Sequence, residues 1–225
     1  MSEEKVPAKD GAGGAVAAAL IAAGMTAVTT AVSDALEMVK GYQRIACAVS
    51  NQTPFEMKQV IGKGGQPAMG QPVHGNYKEA PNATVPSLLQ GASEDKASGA
   101  WVESNFTAWS LESRGSGTEV IHAYYIAELD LCVALYAGNP VSGGPYAGVS
   151  LSDKGWFDGE AGSDQKGQRL IKHIKDIHTK VCQLSKNGAP RQVNAGDILV
   201  EFSGAEQIVF RVKYTGDWSR FPLPE

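Results

Sequence analysis

From residue 14 to residue 40 the larger apolar side chains fall at Val16, Leu20, Ile21, Met25, Val28, Val32, Leu36 and Val39. Spacing of three to five residues between turns places them on one side of a helix, with alanine, glycine and threonine on the other. At ~1.5 Å per residue such a helix spans roughly 40 Å, more than the ~30 Å of a bilayer's hydrocarbon core. Gly24, Thr26, Thr29 and Thr30 weaken it locally. Ser33 or Asp34, with Glu37 shortly after, predicts a cap for a short stable helix that stops at Lys40-Gly41.

The period changes from Arg44 onward. Ile45, Cys47 and Val49 alternate with Ala46, Ala48 and Ser50, which predicts a strand, and Asn51 to Pro54 turns the chain. A second strand is expected from Phe55 to Ile61. Long loops follow from Gln66 to Ser98, with a short strand near Val85 to Leu89. Trp101 to Ser110, Glu119 to Ile126, Leu129 to Ala137 and Tyr146 to Leu151 then form a dense β run broken at glycine-rich turns. Asp164 to Ser185 returns to helical spacing. Leu170, Ile171, Ile174, Ile177, Val181 and Leu184 are on one face, and Lys166, Arg169, Lys172, Lys175 and Lys180 surround them. Asp197 to Phe202 and Gln207 to Tyr214 close the chain as a hairpin. The fold class predicted is mainly β, an antiparallel β-sandwich flanked by two α-helices. The expected organisation is a flexible tail over 1–13, an amphipathic segment over 14–40, a sandwich over 41–216 carrying the helix 164–185, and a C-terminal tail over 217–225.

Composition narrows the function. The chain has 225 residues, 43% of them hydrophobic, with a net charge of -4, as expected of a globular domain and not of a general nucleic-acid binder. The basic face of the late helix is either a solvated surface or one for anionic or zwitterionic headgroups. Three cysteines show no metal spacing and are read as buried thiols, and the triplets at Asn51, Asn82 and Asn105 as chance matches to a glycosylation signal. The four histidines form no HExxH, Gly62-Lys63-Gly64-Gly65 is no phosphate loop, and Asp158 to Asp164 lacks EF-hand spacing. No nucleophile elbow accompanies a serine. The expectation is a non-enzyme without cofactor or metal.

The segment 14–40 has two open readings. It is a helix packed permanently on the protein, or one that is soluble in one state and membrane-inserted in another. Alanine and threonine content, with Asp34 and Glu37, disfavours a constitutive span. The opening Ser2-Glu3-Glu4-Lys5 lacks the basic start of a secretory signal. Small residues opposite the stripe would allow close helix contacts in lipid.

The order of elements resembles the actinoporins, pore-forming cytolysins of sea anemones, and their relatives. Leu36-Glu37-Met38-Val39-Lys40 followed by Arg44 to Asn51 is similar to that family's join from helix to first strand. Val85-Pro86 through Gly91 and Lys96 to Ala100 resemble its central loop. Asp130 to Tyr136 resembles the strand that leads to its headgroup site, and Asp164-Gln165 the start of its second helix. The resemblance covers most of residues 14 to 214. It implies a secreted, water-soluble protein that binds membrane lipid, oligomerises with its own copies and inserts the N-terminal segment as a pore. Sphingomyelin or another phosphocholine lipid is the implied partner, at a site bounded by Ala97, Asn139, Pro140, Tyr146 and His173. The family's docking loop is aromatic, whereas Gly138 to Pro145 here has aromatics only at its flanks, Tyr136 and Tyr146. The late helix has Lys172, His173 and His178 where the family has tyrosines. A soluble sugar-binding module, as in fungal fruit-body lectins of similar sandwich shape, is the principal alternative. A partner-binding protein whose N-terminal helix completes a neighbour's core is a third.

Overall fold

The computed structural model describes residues 27–39, 43–61, 71–95, 100–103, 105–160, 166–177, 182–183 and 189–221. Val16, Leu20, Ile21, Met25 and Ala97 lie outside these residues, as do residues 1–13 and His178. Residues 27–37 are helical (α1).

Two six-stranded sheets form the body. One runs β12 (Arg191–Ala195), β13 (Ile198–Gly204), β14 (Gln207–Tyr214), β1 (Gln43–Gln52), β7 (Phe106–Ser113), β3 (Asn76–Glu79). The other runs β11 (Cys182–Gln183), β10 (Tyr146–Asp153), β9 (Leu131–Asn139), β8 (Thr118–Ile126), β2 (Met57–Gln59), β4 (Thr84–Val85). A small hairpin of β5 (Ala92–Asp95) and β6 (Ala100–Glu103) stands beside them. Among the described residues the pairings are antiparallel except that of β1 with β14, which is parallel. That pair places the first strand inside its sheet, between the last strand and β7.

The alternation of β1 explains the layers. Ile45, Cys47 and Val49 point between the sheets, where they join Trp109, Leu135, Phe210 and other buried residues. Ala46 and Ala48 point outward and meet Val28, Val32 and Ala35 of α1. With both faces covered, β1 is buried from Ile45 to its end, as a strand packed on two sides must be. On the far side, Cys132, Ala134 and Tyr136 of β9 meet Leu170, Ile171 and Ile174 of α4 (Gln168–Ile177) and Phe157 of α3 (Lys154–Glu160). The layers are therefore helix, sheet, sheet, helices. A Cβ on Gly148 of β10 would come 2.5 Å from Ile174 Cγ2, so α4 rests directly on the strand's backbone.

Several local expectations need correction. The helix read as 164–185 does not run through: Cys182–Gln183 is a short edge strand paired with Tyr146 and Ala147, because strand pairing satisfies backbone groups that helical spacing could not reveal. The strand expected from Val85 to Leu89 ends at Val85, and a helical turn follows (α2, Leu88–Gly91). Ser87 Oγ accepts the Gln90 N–H at 3.1 Å, an N-cap that the Ser-x-x-Gln spacing carries. Asp153 caps α3 likewise, accepting the Trp156 N–H at 2.7 Å, so the acidic stretch that begins at Asp158 starts inside a helix. Trp218 and Phe221, read as tail, pack on the core beside Phe55 and Tyr214. Asn51 and Asn105 are buried, and Asn51 holds the turn after β1 through Phe55 O and Pro86 O at 2.7 and 2.9 Å.

Candidate functional site

The row Glu119, Gly138, Tyr146 crosses β8, β9 and β10 in register on the outward face. Because the central member has no side chain, the row leaves a hollow between its neighbours. A Cβ at Gly138 would sit 3.1 Å from the Tyr136 hydroxyl. The hollow widens into a pocket of about 580 Å³. Its floor is Glu119, Tyr136 and Gly138; Ser116, Gly117 and Thr118 form one wall, and Pro140, Ser142 and Tyr146 another. His74 and Lys175 of α4 complete it.

Charge in the pocket is internally balanced. Glu119 Oε1 accepts hydrogen bonds from the Tyr136 hydroxyl at 2.8 Å and from Lys175 Nζ at 2.8 Å. Lys175 Nζ also lies 5.3 Å from the centre of the Tyr136 ring. Burial, and then the adjacent Glu119 carboxylate, push the Tyr136 phenol upward, so it stays a hydrogen-bond donor. Thr118 Oγ1 is buried with no hydrogen-bond partner among the described residues.

Beside the pocket, between Pro140 and Ser142, Val141 is 59% exposed. This loop is tied to the strand that follows α1. Asn139 Nδ2 donates to Arg44 O at 2.8 Å, and Gln43 Nε2 to Val141 O at 3.4 Å. The Arg44 side chain in turn reaches Glu206 Oε2 at 3.2 Å and Val39 O, at the end of the helical segment, at 3.5 Å.

Of the expected headgroup residues, Pro140 and Tyr146 line the pocket, and Asn139 braces its loop from behind. His173 is elsewhere. Its ring packs on Trp156 at 4.8 Å, since two helical positions turn it about 200° away from Lys175. Glu119, Tyr136 and Lys175 were missed as a group; β8, β9 and α4 bring them together across 56 residues, and only the small residue at 138 hinted at a gap. Of the N-terminal stripe, Val28, Val32 and Val39 are buried, and Leu36 is half-buried beside a groove of about 560 Å³ at the β13–β14 turn. A second groove, about 450 Å³, runs along the other flank of α1, past Ala31, Asp34 and Met38. Cys47 and Cys132 are buried free thiols, and burial pushes Cys132 up to about 12. No helix among the described residues is long and apolar enough to cross a membrane, and no cluster of metal-ligating side chains occurs among them.

The class defined by fold and site is a two-sheet sandwich, helices on both outer faces, with a pocket holding a charged pair at one end of the second sheet. The chain is similar to the lipid-binding protein Nakanori in its crystal structure, with a TM-score of 0.57, covering 95% of this chain and 91% of that one at 12% identity. At that identity the likeness is one of fold. No protein-family model matches the chain, and no curated protein matches it.

Proposed function

We propose that the protein binds membrane lipid through this pocket and, once docked, forms an oligomeric pore with its N-terminal segment. The observation that carries the reading is the exposed Val141 beside a pocket lined by hydroxyl-bearing residues and the Glu119–Lys175 pair. An apolar tip next to a headgroup-sized cavity that holds a charged pair suits the boundary between acyl chains and headgroups. The likeness of fold to a lipid-binding protein points the same way. Support for the pore step comes from α1, which lies outside both sheets on Ala46, Ala48 and Ala108, with Phe106 and Val209 beside them and a groove on either flank. The bonds from Asn139 and Gln43 to the strand after α1 offer a route by which docking loosens that helix. The protein acts without catalysis, as a secreted soluble monomer that converts on its target membrane.

The test is dye release from vesicles of phosphatidylcholine, sphingomyelin and anionic lipid. Release rising steeply with protein concentration is expected, and removal of residues 1–32 is expected to abolish release while leaving vesicle binding intact. Equal release by the truncated chain would exclude the N-terminal segment from the pore. The hydroxyls of the same pocket also suit a sugar; absence of both vesicle binding and release, with binding on a glycan array, would favour the lectin reading.

A further inference from the structure

A cationic ligand group is best held by a carboxylate and the face of an aromatic ring together. In this pocket that arrangement exists and is filled from within: the Lys175 ammonium is 2.8 Å from Glu119 Oε1 and 5.3 Å from the Tyr136 ring centre. The Tyr136 hydroxyl, bonded to the same Oε1, is locked in place. What remains for a ligand is a set of hydrogen-bond donors. An ammonium has three N–H groups, and the bond to Glu119 takes one. Ser116, Ser142 and Tyr146, each bearing a hydroxyl, line the same space, the Ser116 hydroxyl being paired with Ser113 Oγ at 2.9 Å. Lys172 and Arg169, exposed three and six positions before Lys175, continue one basic face of α4 away from the pocket.

We propose that the pocket takes the phosphate monoester head of a membrane lipid, and that Lys175, by occupying the cation position, excludes choline. This rests on the lipid-docking reading of the same pocket. The phosphate oxygens accept from the free N–H groups of Lys175 and from the hydroxyls, and the basic face of α4 meets the surrounding anionic surface. A net charge of -4 opposes indiscriminate attraction to such a surface, so the selectivity comes from the site.

The experiment is flotation of the full chain at physiological salt with four vesicle types. These are phosphatidylcholine alone, phosphatidylcholine with sphingomyelin, and phosphatidylcholine with one-fifth phosphatidic acid or one-fifth phosphatidylserine. Binding is expected to be about tenfold tighter to phosphatidic acid vesicles than to either choline-only type, the effect of one charge-assisted hydrogen bond. Lys175→Met keeps the apolar stem of an exposed side chain; it is expected to lose that tenfold and to strengthen binding to sphingomyelin vesicles. Choline vesicles bound as tightly as phosphatidic acid, or a preference unchanged in Lys175→Met, would overturn the proposal. Equal binding to phosphatidylserine would assign the effect to surface charge and overturn it too. Glycerol phosphate binding in calorimetry as tightly as the vesicles would make the ligand a soluble phosphate and overturn the lipid source. Failure to bind any of the four vesicle types would instead remove the lipid-docking reading itself.

Discussion

At position 122 the alternation of β8 turns a histidine into the interior of the sandwich. Its Nε2 is 2.7 Å from the Tyr77 hydroxyl, its ring is edge-on to Trp109 at 4.9 Å, and Nδ1 has no partner among the described residues. Burial lowers its pKa from 6.5 to about 3. The folded state therefore binds fewer protons than the unfolded chain. This contribution to stability is complete above about 6.5 and is lost as pH falls from there toward 3. Thermal unfolding followed by circular dichroism is expected to show Tm falling by roughly 5–10 °C between pH 7 and pH 4.5. His122→Phe, which has no proton to gain, should flatten that slope whatever its absolute Tm. An unchanged slope would assign the pH dependence to other groups.

Among the elements, α4 depends most on a single missing side chain. Ile174 Cγ2 occupies the space a Cβ on Gly148 would need, at 2.5 Å. Gly148→Ala must push the helix off β10 or bend the strand, and overpacking of this kind costs about 1–3 kcal/mol. Urea unfolding is expected to give a lower midpoint with an unchanged slope. Since α4 also carries Lys175, the same substitution should weaken vesicle binding beyond any loss of folded protein. Helix α1 contrasts with this. It sits on Ala46, Ala48 and Ala108, small side chains that admit a helix closely, with Phe106 and Val209 partly buried beside them.

Over the whole molecule, one end of the sandwich is closed by four aromatic rings. Phe55, Tyr214 and Phe221 meet edge to face at 5.4 to 5.6 Å, with Trp218 against Tyr214 at 5.6 Å. Trp218 Nε1 donates to Tyr214 O at 3.3 Å. A chain ended after Thr215 is expected to lose about 2–4 kcal/mol, from the area and edge-to-face contacts of two partly buried rings. Chemical denaturation checks this, and a loss below about 0.5 kcal/mol would return residues 217–221 to the status of a tail.

The sequence by itself determined what depends on neighbours along the chain. Period two in residues 44–50 defined a strand, while the helix that covers its alanine face came only with the structure. Spacing at Leu170, Ile171 and Ile174 defined the buried stripe of α4, and the glycine-rich turns separated β7 through β10. Ser87 and Asp153 carried capping signals that were present but passed over. Only the tertiary structure decided what depends on distant pairing. β1 lies parallel to β14 although more than 150 residues separate them, and Cys182–Gln183 leaves helical spacing to pair with β10. The pocket is of the same kind. Glu119, Tyr136 and Lys175 belong to three elements, and no local period relates them. What joins them is strand register across the gap at Gly138 and the seat of α4 on Gly148, both set by packing between segments that the sequence keeps apart.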